Sequence, residues 1–598
     1  MKSTIRLGGA SAFWGDSMLA APQLLASKNI DYLVFDYLAE ITMSILARQR
    51  ARDPKMGYAH DFVTATMKAC LKDIAAQGVK VISNAGGVNP RACAEAIEAL
   101  IAAQGLSLKV AYVTGDDLLA REAEIRQSAP KEMFTGEILP ERLASMNAYL
   151  GARAIAQALA QGADIVITGR VVDSAVTLGP CLYEFGWADT DYDLLAAGSL
   201  AGHIIECGAQ ACGGVYTDYQ DSEDWANIGY PICTIGKDGV FEITKPAGTG
   251  GCVTFGTIAE QLVYEIGDPQ AYLLPDVTCD FSGVRIEEVG PNRVRVSGAK
   301  GTPPSGHYKV CATYEDGFRV GYYITIGGID ARIKAERTGH AVLKRMERML
   351  RDANMAPLTE SSVEIVGTEA SYGPHARPGA LASREVILKL AAKHPEERAL
   401  NMLVREAASG ATSFAQGFTG LGGNRPKVSP VVRLFSFLMP KSAVEVTCHS
   451  GPNATPVAIR TAGGFTPSAI KRPDGLASAH VTGGVHVPLI KLAYGRSGDK
   501  GNASNIGIIA RKPDYMPYIR ATLSARAVAT YLGHLFDAGE GVCERFELPG
   551  VPALNFLLPQ SLGGGGIASL RNDPQGKAHA QILLEFPVPV PPELAQML

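Results

Sequence analysis

The sequence carries no excess of charge of one sign. Its 56 Lys and Arg stand against 60 Asp and Glu, a formal net charge of -4, so there is no basic field of the kind that holds nucleic acid or an anionic membrane surface. Long apolar runs are also missing. The richest, around Leu194 to Ile205, is about a dozen residues, short of the roughly 18 that a spanning helix needs, so a soluble protein is expected. Met1 to Ala10 carries two positive charges and a short apolar stretch broken by Gly8 and Gly9, which fails as a signal peptide. The 11 cysteines are scattered, with no C-x-x-C pair, which argues against a disulfide framework and a structural zinc site and fits a reducing cytoplasm. No G-x-G-x-x-G, Walker or G-x-S-x-G motif is present, which leaves nicotinamide, P-loop and nucleophile-elbow chemistries without support.

What is present is a globular chain of 598 residues, 46% hydrophobic and 19% charged, with only 7% aromatics. That length suggests two or three domains, and the apolar content leaves room for a homo-oligomer. Glycine is abundant, 65 residues or about 11% against a usual ~7%, which points to tight turns and close backbone approaches.

Five short β-branched runs, Ile5 to Gly9, Asp31 to Asp36, Val79 to Asn84, Leu108 to Thr114 and Ala163 to Thr168, alternate with helical patterns. The helical patterns are Asp61 to Ala76, Pro90 to Ala103 and Met146 to Gln161. This predicts an α/β main domain, three-layered around a parallel sheet. From 214 to 328 the texture becomes β-rich, with a hairpin over Arg285 to Gly298 and a strand over Arg319 to Ile326, and reads as a lobe. A basic helix over Asp330 to Arg351, a glycine-rich stretch from Ser409 to Gly423, and strands near Val431 to Leu438 and Ala443 to Thr447 close a main domain of 1–450. Residues 451–487, rich in Gly, Pro, Thr and Ser, read as a linker. Residues 488–598 then form a compact α+β module with ferredoxin-like character. Its strands are expected near Val487 to Leu492, Asn505 to Ala510, Pro552 to Leu557 and Gln581 to Phe586, with a helix over Ala525 to Phe536.

Each of the five runs ends in glycine or polar residues, including Gly8, Gly9, Asp36, Asn84, Asp116, Asp117 and Arg170. Ligands of open parallel sheets bind outside these carboxyl ends, although such residues also simply cap strands and start helices. Gly8, Gly9 and Asp16 would bring backbone N–H groups to a phosphate or carboxylate. Arg170 can clamp an anionic substrate while Asp173 orients it or exchanges a proton, and the two can equally form a structural pair. His203, Glu206 and Cys207, at offsets of three and four, share a helix face that builds an acid/base pair or half a metal site. Lys245 and Gly250 lie in a loop able to bind phosphate or stabilise an enolate. Arg496, Asp499 and Lys500, in Arg496 to Asn502, look most like an anion loop.

In order along the chain stand GGASAFWGDS (8–17), NAGGVNP (84–90), VTGDDL (113–118), TGRVVDSAVTLGP (168–180) and GHIIECGAQACGG (202–214). GYPI (229–232), ITKPAGTGG (243–251), QLVYEIGDPQAYLLPDV (261–277) and YGRSGDKGNASNIGIIAR (494–511) follow. With these segments the chain resembles the acyclic terpene utilisation protein family AtuA over nearly its whole length. The resemblance implies a C-terminal ferredoxin-like domain that in this family can be a separate small chain, and a place in catabolism of acyclic terpenes through branched acyl-CoA thioesters.

Two functions are therefore expected. The first is a cofactor-independent lyase or hydratase acting on a branched acyl-CoA or hydroxy-acid derivative. In it Glu206 or His203 moves a proton, Asp173 assists, Lys245 and glycine N–H groups stabilise the enolate, and Arg170 holds a carboxylate. Coenzyme A enters as part of the substrate; a divalent metal on His203, Glu206 and Asp173 stays open as a variant, with no metal ligand assigned. The alternative is a non-catalytic acyl-CoA-binding or assembly subunit of the same pathway.

Overall fold

The computed structural model describes residues 2–421, 425–536 and 541–598; the end of the glycine-rich stretch, 422–424, lies outside the described residues. The five expected runs become β1 (Thr4–Gly9), β2 (Tyr32–Phe35), β3 (Lys80–Ser83), β4 (Val110–Thr114) and, after β5 (Ser145–Ala148), β6 (Ile165–Ile167). They are parallel in the order β1-β2-β3-β6-β4. Alternate side chains serve two cores: Leu33, Phe35, Val81 and Ile167 pack with Leu24, Phe62, Leu71 and Ile97, whereas Ile5, Leu7, Val34 and Ile82 pack with Ile155, Leu182, Leu200 and Ile204. Burial on both faces explains why these strands read as continuous apolar runs.

The sheet is mixed rather than parallel throughout. Strands β7 (Ile232–Gly236), β8 (Phe241–Thr244), β11 (Arg285–Gly290) and β12 (Arg293–Ser297) extend it antiparallel beyond β1. Between them in sequence, β9 (Tyr272–Leu273), β10 (Thr278–Asp280) and the later β13 (Lys300–Thr302) form a small sheet of their own. The 21-residue β14 (His307–Gly327) starts a further sheet with β5, β15 (Glu360–Val366), β16 (Glu385–His394), β17 (Phe418–Leu421) and β18 (Ser429–Pro440). The strands of 214–328 are thus shared among three sheets instead of forming one lobe. β19 (Thr447–Ser450) and β20 (Asn453–Pro456) make a hairpin on β4, so the start of the expected linker belongs to the main sheet.

Several predicted elements change type, among them the expected strand Val487 to Leu492, which ends at Pro488 and continues as a 3-10 turn over Leu489–Lys491. Met146 to Ala148, placed in a helix by periodicity, lie in β5 because they pair with Val310 to Ala312 of β14; the helix starts at Arg153. Gln581 to Leu583, placed in a strand, are helical in His579–Leu583, whose approach is capped by Asp573 accepting from the Lys577 and Ala578 N–H groups. Asp330 to Arg351 keeps its type, as the helix Ala331–Asp352.

In the C-terminal module β21 (Val485–Pro488) pairs a strand at Pro587–Val590. Beside it, β22 (Ala493–Lys500), β23 (Ala503–Ala510), β24 (Glu544–Leu548) and β25 (Ala553–Leu558) form an antiparallel sheet ordered β22-β23-β25-β24. Ile506, Ile508, Leu554 and Phe556 pack there with Ile519, Val528 and Leu583. Arg496 to Lys500, expected in a loop, are strand residues, since each pairs across to β23. Among the described residues no helix is long and apolar enough to cross a membrane.

Candidate functional site

The carboxyl ends of the parallel strands hold a buried polar network. Asn84 Nδ2 donates to Asp36 Oδ1, the Asn84 Oδ1 accepts from the Tyr37 N–H at 2.7 Å, and Ser11 Oγ donates to the Asp36 carbonyl at 3.0 Å. Asp116 accepts from the Arg170 N–H at 2.8 Å and from Asn147 Nδ2 at 3.0 Å; burial pushes its carboxyl up to about 7. Gly169 is required beside it, because a Cβ there would lie 2.5 Å from the Asp116 carboxylate.

Arg170, expected either as a substrate clamp or as the structural partner of Asp173, is only 4% exposed and takes the second place. Its Nη1 donates to the Leu38 carbonyl at 2.7 Å and to Asp173 Oδ1 at 3.0 Å, and its guanidinium lies 4.2 Å from the Tyr149 ring centroid. Tyr149 donates to Glu40 Oε1 at 2.6 Å, and Lys309 Nζ stands 3.7 Å from the same oxygen. Arg170 is therefore the internal counter-ion of several carboxylates. Burial and the neighbouring Asp173 raise the Asp36 carboxyl, against the pull of Arg170. Burial works in the same direction on Glu40, but Lys309 and Arg170 outweigh it and hold that carboxyl down to about 2.

The helix Tyr192–Ile205 delivers the acid/base pair. His203 lies in its last turn and Glu206 is its C-terminal cap, three residues on, so the Nδ1 to Oε1 distance is 3.1 Å. Gly202 lets the helix approach the Asp173–Ser174 turn, since a Cβ would sit 2.7 Å from the Ser174 Cα. His203 is buried against the rings of Tyr272 and Phe281, at centroid distances of 5.8 and 6.3 Å, and among the described residues its Nε2 has no hydrogen-bond partner. Burial pushes the Glu206 carboxyl up to about 7; Asp173 adds to this, while His203 and Lys500 oppose it. Cys207, next along, has its thiol pushed up by burial and by Glu206, so it is kept protonated.

The C-terminal module reaches the same place. Gly498 allows β22 to abut the main domain, because a Cβ would meet Glu265 and Tyr264 side chains at 2.6 and 2.7 Å. Lys577 donates to Tyr264 Oη at 2.6 Å, Glu265 Oε1 at 2.8 Å and Asp499 Oδ1 at 3.1 Å. Lys500, the next residue, is exposed, with Nζ 5.8 Å from the ring centroid of Tyr272. Arg496 stacks on Tyr264 at 4.4 Å and donates to the Val215 carbonyl at 2.6 Å and to Gln210.

Other expected residues serve the frame. The Gly9 N–H is taken by the Pro231 carbonyl at 3.0 Å, and a Cβ at Gly9 would lie 2.5 Å from the Ile205 carbonyl. A Cβ at Gly8 would meet the Leu24 side chain at 3.1 Å. Asp16 accepts from the Ala12 and Ser17 N–H groups and from Tyr230, which folds its own loop. Lys245 Nζ donates to the Thr249 carbonyl at 2.5 Å, which holds it within its loop, and the Gly250 N–H donates to the Asn227 carbonyl at 2.8 Å, which ties the loop to the preceding segment. Asp117 pairs with Arg50 at 2.8 Å. Sequence reasoning missed Glu40, Tyr149, Glu265, Tyr272 and Lys577; Glu265 and Lys577 are 312 residues apart, and no spacing signals such a pair. Among the described residues, no group of three or more His, Cys, Asp or Glu is arranged to hold a metal ion.

Two family descriptions match the chain: acyclic terpene utilisation family protein AtuA over residues 5–450, and AtuA ferredoxin-like domain over 487–589. No curated protein and no solved structure matches it.

Proposed function

Since the chain belongs to the acyclic terpene utilisation family AtuA and ends in the AtuA ferredoxin-like domain, we propose that it is a cofactor-independent lyase or hydratase acting on a branched acyl-CoA. The family implies involvement in acyclic terpene utilisation. The observation that carries the finer reading is the His203–Glu206 pair at 3.1 Å with the Glu206 carboxyl near 7. A carboxyl with that value populates both its acid and its base form at neutral pH, which is where general acid–base catalysis is most efficient. In the dehydration direction Glu206 takes the C2 proton of a 3-hydroxyacyl thioester, the C3–O bond breaks as C2=C3 forms, and Glu206 passes that proton to the departing hydroxyl, which leaves as water. His203 holds the Glu206 carboxylate, and Asp36 and Asp173 surround it with Arg170 as their neutralising cation. The enolate contact first assigned to Lys245 and the glycine N–H groups loses its support, because Lys245 bonds within its own loop and the Gly9, Gly250 and Gly251 N–H groups are taken by the Pro231, Asn227 and Glu223 carbonyls.

The alternative is a non-catalytic acyl-CoA-binding or assembly subunit, and in either case a substrate is not seated beside Arg170. The cavity lined by Glu40, Tyr149, Arg170 and Cys311 has about 10 Å³, space for a single water. Mass spectrometry of the protein incubated with branched enoyl-CoA and 3-hydroxyacyl-CoA thioesters decides between the two. Gain or loss of water that disappears in Glu206→Gln is the expected result. Binding without product at stoichiometric protein would replace the enzyme by a carrier or assembly subunit.

A further inference from the structure

We infer that Lys500, carried to the main domain by the C-terminal sheet, is the cation that receives the anionic oxygen of a ligand at Glu206, and that Lys577 positions it. The inference rests on the acid/base reading for the identity of the site.

Among the described residues, all but one of the cations near Glu206 are already engaged. Arg170 is buried and directed to the Leu38 carbonyl and Asp173. Arg496 is held by Val215, Gln210 and the Tyr264 ring. Lys577 has three oxygen partners, and Lys309 stands beside Glu40 and Tyr149. Lys500 is exposed, and among the described residues its ammonium has no hydrogen-bond or ion-pair partner, only the face of Tyr272. Tyr272 packs in turn against His203, 5.8 Å between ring centroids, so Lys500, Tyr272, His203 and Glu206 form a continuous path across the domain boundary. The Lys500 charge is felt by Glu206 and Glu265.

The position of Lys500 is set one residue earlier. Gly498 brings β22 against Tyr264 and Glu265, and Lys577 ties Asp499 to Glu265, so the strand end has little freedom. A free, exposed ammonium on a rigid strand end can meet a thioester oxygen as it acquires charge, the arrangement that stabilises an oxyanion without reorganisation.

Infrared titration of the Glu206 carboxyl, its band assigned by Glu206→Gln, tests this without requiring turnover. In Lys500→Met the midpoint is expected to rise by about half a pH unit, about threefold in the protonation equilibrium, because a cation that favours the carboxylate is gone. Lys500→Arg should restore it, and Lys577→Met should move it in the same direction by less, with rescue by Lys577→Arg. Lys500 is exposed, so thermal midpoints serve as the folding control. In calorimetry with a 3-methyl-branched enoyl-CoA, Lys500→Met should bind at least 10-fold more weakly, and where wild type turns over, kcat should fall by about 10²-fold. An unmoved Glu206 midpoint overturns the inference, whatever happens to turnover. A moved midpoint in a protein that forms no product overturns the acid/base reading and leaves the Lys500 contact standing.

Discussion

At the scale of single residues the chemistry is governed by burial. Glu206 titrates near 4.5 in an unfolded chain and is pushed up to about 7 in the folded one. The native state therefore holds an extra proton between those values, and this contribution to stability is full below about 4.5 and lost as pH rises through 7. Glu206→Gln is expected to flatten that fall, raising stability at pH 8 relative to wild type by up to about 3 kcal/mol, as read from urea denaturation at pH 5 and pH 8. Asp116, also raised to about 7 by burial, shares the slope, so some pH dependence will persist in the variant. His203 and Glu206 were legible from their offset of three on a helix. For Arg170 the sequence offered a substrate clamp and a structural pair with Asp173 equally, and the structure has the pair, because spacing carries no information on whether a guanidinium faces solvent or is buried among carboxylates.

At the scale of elements, glycine decides how closely strands and helices approach. Gly9 at the end of β1 reads in sequence as a ligand-binding turn, yet the structure uses it to seat the end of the helix Tyr192–Ile205. Gly9→Ala is accordingly expected to destabilise the fold by about 1–3 kcal/mol and to disturb the Glu206 titration; a loss of ligand affinity with both unchanged would restore the ligand-loop reading. Gly115 makes a stronger case: it has φ +117, and a Cβ there would lie 2.2 Å from the Glu445 carbonyl. Gly115→Ala should cost more than 2 kcal/mol, roughly the sum of strain and overpacking, visible as a lowered denaturation midpoint. Strands buried on both faces were legible from apolar runs alone. β5 was not, because Met146, Asn147 and Ala148, running on into a helix, look helical until β14 arrives to pair with them.

At the scale of the whole molecule the decisive feature is the docking of the C-terminal sheet. Asn505 Nδ2 donates to the Val263 carbonyl at 2.6 Å, and Asn555 Nδ2 to the Ile266 and Gly267 carbonyls at 3.0 and 2.6 Å, so two buried amides read the backbone of the main domain. Arg511 adds a two-pronged pair with Asp218 at 2.5 and 2.6 Å. Removing a buried partner leaves its carbonyl unsatisfied, at about 1–3 kcal/mol. Asn505→Ala is therefore expected to speed hydrogen exchange over residues 254–267 and to weaken the effect of Lys500 on Glu206. The sequence by itself determined the apolar βα rhythm, the family and the His203–Glu206 pair, because each of these is written in local pattern or in motif order. Only the tertiary structure decided that the sheet is mixed, that Arg170 is an internal counter-ion, and that Lys500 of the C-terminal sheet lies over the Tyr272 ring, which packs on His203. Those outcomes depend on burial and on contacts between residues hundreds of positions apart, which no local periodicity encodes.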